Sequence, residues 1–133
     1  MAVAPEQLTP SVFSTHPLVL RAGGGDWVRG ISRAEPDGSL PFLASTETGT
    51  VLRLGRSTAD ADALDATLTE VARELAGVTG MLVFDSVLRR LEFEHCGIDR
   101  VLAEHGAVGL STYGEQYDGV HVNHSMVGIA FGA

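Results

Sequence analysis

The amino-acid sequence predicts an α+β fold, a mainly antiparallel sheet of about five to seven strands with two principal helices packed on it. Three observations lead there. Extended segments early in the chain are joined by short turns, which favours antiparallel pairing. Apolar residues then recur at helical spacing, at Leu64, Leu68, Val71 and Leu75. A strand, a second helix and two closing strands follow. At 133 residues, 44% of them hydrophobic, the chain has the length and apolar content for one domain that buries its own core.

Residues 1–15, with Pro5 and Pro10, read as an irregular lead-in, and the single domain is placed at 16–133. Leu18 starts a short strand, and Ala22 to Gly25 is a glycine-rich turn. Asp26 to Glu35 alternates, with Trp27, Arg29, Ile31 and Arg33 on one face. Pro36-Asp37-Gly38 and Glu47-Thr48-Gly49 are turns by residue chemistry, flanking strands at Leu40–Ser45 and Thr50–Arg56. Ser57 or Thr58 caps the first helix, Asp60 and Asp62 suit its positive end, and Gly77 closes it. Gly80 to Asp85 is a continuous apolar run of buried-strand length. Leu91 to His105 reads as one helix stopped by Gly106. Ala107–Glu115 and Val120–Phe131 are strands joined by a hairpin at Tyr117-Asp118-Gly119.

Charge narrows the partners. Seventeen acids against nine bases leave a formal charge of −8. That argues against nucleic acid and against an anionic membrane surface. All nine bases are arginine. Lysine chemistry, whether Schiff base or phosphate-loop, is therefore excluded on this chain. One cysteine, Cys96, forms no internal disulfide and points to a reducing compartment. With no signal-peptide pattern and no apolar run near about 20 residues, the expected location is the cytoplasm.

Several stretches resemble one family. Residues 27–56 contain VRG and TGTVLRL, and residues 81–132 contain LVFDSVLRR, GLSTYGE and NHSM; with His16-Pro17-Leu18 they resemble the C-terminal half of the FIST sensory domain. The most specific piece is TYGE followed by NHS at hairpin distance. The resemblance implies an intracellular sensory module that binds small ligands such as amino acids, with haem-based gas sensing in some members. Two departures stand out. No counterpart of the family's N-terminal half is visible, and the cysteine often found in its central strand is Ser86 here.

The candidate ligand-binding residues are Arg29, Arg89, Tyr113, Glu115, Asn123 and His124. On one strand, Tyr113 and Glu115 share a face, with Glu115 able to accept from an ammonium. Asn123 is the single asparagine of the chain. His124 offers a ligand contact or a haem axial ligand, with His121 as the alternative. On a strand the two histidines face opposite sides, so they do not chelate one metal ion. Arg29 or Arg89 would grip a carboxylate bidentately. Against these stand plainer readings: a solvated Glu115, a core histidine, and arginines paired with some of the seventeen acids.

Other constellations fail on geometry. His95 and Cys96 diverge on a helix, His105 suits a helix end, and GLSTYG is a near miss for a nucleophile elbow. The expectation is thus a non-enzymatic ligand-binding sensory domain for an amino-acid-like or other small carboxylate ligand. The alternatives are an interaction module that self-associates or pairs with a partner chain, and a haem-based gas sensor.

Overall fold

The computed structural model describes residues 4–58, 60–94 and 96–132. They form an α+β fold with eight strands in three small sheets and four α-helices. The sheets are mostly antiparallel.

The lead-in is ordered where the sequence suggests irregularity. A 3-10 turn at Pro5–Gln7 precedes helix α1, Pro10–Thr15, which starts on a proline that needs no N–H partner. Phe13 and Ser14 of α1 are buried. Strands β1 (Leu18–Ala22) and β2 (Gly25–Arg29) form a hairpin through Gly23 and Gly24, both at positive φ. Strand β3 (Leu52–Leu54) pairs with the other edge of β1. The alternating run expected to reach Glu35 ends at Arg29. Beyond it, Ile31 makes one bridge to Phe42, and Leu40–Ser45 forms no strand of its own. Pro41 has no N–H to donate to a ladder, and only its carbonyl pairs, with Ser32 N–H. At the Pro36-Asp37-Gly38 turn the Ser39 hydroxyl and amide hold the Asp37 carboxyl below its ordinary range.

Helix α2, Ala61–Glu74, is capped by Asp60, whose side chain accepts from the amides of Asp62 and Ala63. The cap thus falls later than Ser57 or Thr58. At the other end, Gly77 N–H reaches Ala72 O at 2.9 Å and Ala76 N–H reaches Arg73 O at 3.2 Å. This is a Schellman closure with Ala76, not glycine, in the left-handed position at φ 54°.

Strand β4, Val78–Ser86, is central in the largest sheet, ordered β5-β4-β8. Strand β5 (Ala107–Thr112) runs parallel to it and β8 (Met126–Gly132) antiparallel. The parallel pair follows from the crossover between β4 and β5. The single helix expected over Leu91–His105 is instead α3 (Val87–Phe93) and α4 (Ile98–Glu104), separated where Gly97 takes φ 77°. The predicted strand Val120–Phe131 is likewise split. Strand β6 (Glu115–Tyr117) and β7 (Val120–Val122) form a hairpin whose turn, Asp118-Gly119, has positive φ at both positions. His124, at φ 59°, then turns the chain into β8.

The core lies on one side of the main sheet. Met81 and Val83 meet Leu64 and Leu68 of α2 and Ile98, Val101 and Leu102 of α4. Burying each such side chain stabilises the fold by about 1.5–3 kcal/mol. Strand alternation sends Leu82 and Phe84 to the opposite side, in register with Val108 and Leu110 of β5 and with Ile129 and Val127 of β8. That face is uncovered: Val108, Leu110, Ile129 and Phe131 are all more than half exposed.

Replacing Ala76 with glycine removes the cost of a left-handed alanine. The expected result is stabilisation of about 1 kcal/mol in urea denaturation. An unchanged or lower midpoint contradicts the assignment of that closure.

Candidate functional site

The end of β4 places two polar residues where an apolar strand gives way to helix α3. Asp85 and Ser86 are 3% and 0% exposed. Asp85 Oδ1 accepts from Arg89 Nη1 at 2.6 Å, four residues on and across the strand–helix junction. The Arg89 guanidinium also lies 4.6 Å from the Phe93 ring centroid, a cation–π contact. Ser86 anchors the loop after β7: its Oγ accepts from His124 N–H at 3.0 Å, and its own N–H donates to Ser125 O at 2.9 Å.

That loop is stitched on every side. His124 Nε2 lies 2.7 Å from Glu92 Oε2 of α3, with both side chains almost fully enclosed. Ser125 Oγ donates to Glu115 Oε2 at 2.7 Å, and Thr112 Oγ1 donates to Glu115 Oε1. Asn123, 2% exposed, works in two directions. Its Oδ1 accepts from Gly30 N–H at 3.1 Å, and its Nδ2 donates to Tyr113 O at 3.0 Å. A Cβ on Gly30 would stand 3.3 Å from the Asn123 Cβ and 3.0 Å from Leu88 Cδ1, so glycine is what permits this approach.

The six residues singled out in the sequence are thus only partly brought together. Arg89, Glu115, Asn123 and His124 belong to one buried polar seam, joined through Asp85, Ser86, Glu92 and Ser125. Arg29 reaches its edge, donating to His121 O at 3.4 Å, while its Nε has no partner among the described residues. Tyr113 and Glu115 do not share a face. A bend at Tyr113 leaves that residue 73% exposed while Glu115 turns inward to 5%. Only the carbonyl of Tyr113 joins the seam.

Elsewhere, His105 pairs with Asp65 at 2.8 Å, Cys96 is exposed, and His95 lies outside the described residues. Among the described residues no three His, Cys, Asp or Glu side chains are grouped to hold a metal ion. No helix there is long and apolar enough to cross a membrane. His124 does not suit a haem iron: Glu92 occupies its Nε2 and the ring is enclosed. The exposed His121 lies against Gly114 instead, where a Cβ would run into its Nε2.

The sequence reading missed Asp85, Glu92 and Ser125. Asp85 carried a signal, an acid ending an apolar strand run four residues before an arginine. Asp85 also lines a hollow of about 390 Å³ between β5 and helices α3 and α4. The hollow is lined on its β5 side by Ala107, Gly109, Leu110 and Ser111. Its walls are Arg90, Asp99, Leu102 and Ala103. Arg90 is paired with Asp99 at 2.8 Å. Asp85 Oδ2 has no partner among the described residues.

The family model described as FIST C domain matches residues 2–118. The match takes in the α1 segment left out of the sequence resemblance and stops before Asn123 and His124. No curated protein and no solved structure shows a significant match to the chain.

Asn123→Ala leaves Gly30 N–H and Tyr113 O without their buried partner. The expected loss is about 3 kcal/mol by urea denaturation. Tyr113→Phe, altering an exposed hydroxyl, should stay within about 0.5 kcal/mol of the parent. The reverse ranking contradicts the seam as drawn.

Proposed function

Because the chain belongs to the FIST C domain family, a family of sensory domains, we propose that it is a non-enzymatic cytoplasmic sensor that binds a small molecule in the hollow beside Asp85. The observation that carries this reading is Asp85 itself. It lines the hollow, commits Oδ1 to Arg89 and leaves the buried Oδ2 without a partner among the described residues. A ligand drawing on that carboxylate alters how firmly it holds α3. Helix α3 in turn carries Glu92, which holds His124 and so the loop that anchors the β6–β7 hairpin. Binding shifts the population of this linked set, provided the ligand prefers one arrangement over the other.

The amino-acid-like or carboxylate ligand suggested by the resemblance needs a guanidinium to grip it. Arg89 is held by Asp85, and Arg29 stands over the hairpin rather than at the hollow. Neither guanidinium is therefore placed to grip a carboxylate in the hollow, and the reading of the hollow rests on Asp85 instead.

A thermal-shift screen against a broad panel of small metabolites tests the reading. At least one compound should raise the melting temperature saturably, by the mass action of binding to the folded chain alone. A flat response across the panel at millimolar concentration contradicts it.

A second reading, an interaction module, draws on the uncovered face of the main sheet. Four large apolar residues more than half exposed on one face mark an association surface. Light scattering at rising concentration should then show self-association that Leu110→Lys with Phe131→Lys removes. A strict monomer that takes up no partner chain contradicts this second reading.

A further inference from the structure

The charge pattern of the hollow selects a ligand class, and this inference rests on the small-ligand reading above. The Asp85 side chain is 4% exposed, and its Oδ2 lacks any donor among the described residues. A buried carboxylate oxygen in that condition is costly until a donor reaches it. Asp99 adds a second carboxylate to the wall. Both nearby guanidinium groups are already engaged, Arg89 by Asp85 and Arg90 by Asp99. Neither stands ready for a carboxylate or a phosphate. Leu102 and Ala103 supply an apolar side. A chain of net charge −8 also draws cations toward its surface.

We infer that the hollow takes a small organic cation, a primary amine on a short hydrocarbon body, with its ammonium donating to Asp85 Oδ2. An ammonium carries three donors. The other two face the Asp99 carboxylate and the hydroxyl of Ser111, the register partner of Asp85 across the parallel strand pair. The hydrocarbon body lies along Leu102 and Ala103. Oδ2 is buried in this structure, so the ammonium reaches it through a shift of the Asp85 carboxyl that loosens its hold on Arg89.

Isothermal titration of the full chain with three matched probes tests this. Isopentylamine, leucine and 4-methylpentanoate share one hydrocarbon body and differ only in ammonium and carboxylate. Isopentylamine should bind saturably at one site, at least about tenfold more tightly than either of the others. Asp85→Asn keeps an oxygen for Arg89 and puts an amide donor in place of Oδ2. It should weaken the amine at least about tenfold. If that variant fails to fold, Ala103→Phe fills the hollow from an exposed helix position and should abolish binding.

Amine binding that survives both substitutions, or that does not saturate, overturns the inference. Leucine or 4-methylpentanoate binding as tightly as the amine overturns the ligand class and leaves the small-ligand reading standing. Silence from all three probes, with a hit elsewhere in the thermal-shift panel, does the same. Silence throughout the panel overturns both.

Discussion

A buried polar group must find its partner inside the protein, and the three residues Asn123, His124 and Ser125 meet that constraint for most of this molecule. Between them they satisfy Gly30, Tyr113, Glu92, Glu115 and Ser86, groups drawn from both larger sheets, helix α3 and the hairpin. Remove this short loop and Gly30, next to β2, loses its buried partner, leaving the longer 3.4 Å contact of Arg29 to His121 O between β2 and the hairpin. The apolar core between β4, α2 and α4 supplies most of the burial energy, but it fixes only one side of the main sheet. The polar seam fixes the other elements relative to it.

The same constraint explains why the residues that look most like a binding site do not form an open one. Glu115 takes two hydroxyl donors, Asn123 uses both ends of its amide, and His124 meets Glu92. These contacts are features of a mostly satisfied interior, although His124 Nδ1 is buried without a partner among the described residues. Unsatisfied atoms are the informative ones. Asp85 Oδ2 is such an atom, and it sits in a residue that also lines a hollow. Three of the four β5 residues that line the hollow, Ala107, Gly109 and Ser111, are small and leave space between sheet and helix; the fourth is Leu110. The position that often carries a cysteine in the resembled family is occupied by Ser86, whose hydroxyl and amide both serve the loop.

Much of the fold was legible in the sequence where local chemistry and tertiary need agree. The spacing of Leu64 and Leu68 gave α2, the apolar run before Asp85 gave β4, and Asp118-Gly119 demanded a tight hairpin turn. Other features depend on single backbone angles that composition does not announce. Gly97 splits one helical pattern into α3 and α4, and a histidine at positive φ splits one strand pattern into β7 and β8. Period-two reasoning put Tyr113 and Glu115 on one face, and a bend at Tyr113 that ends β5 undid it. The Asp85–Arg89 pair was hidden because strand and helix rules were applied to separate segments, and the contact spans their junction.

The central claim is that the loop 123–125 ties sheet, helix and hairpin into one cooperative unit. Native-state hydrogen exchange at two amides reads this directly: Gly30 N–H, held by the Asn123 side chain, and His124 N–H, held by the Ser86 hydroxyl. The account predicts that both open with the same free energy and the same denaturant dependence, although they lie 94 positions apart in sequence. Exchange of Gly30 through low-energy local fluctuations, while His124 waits for global unfolding, would contradict it.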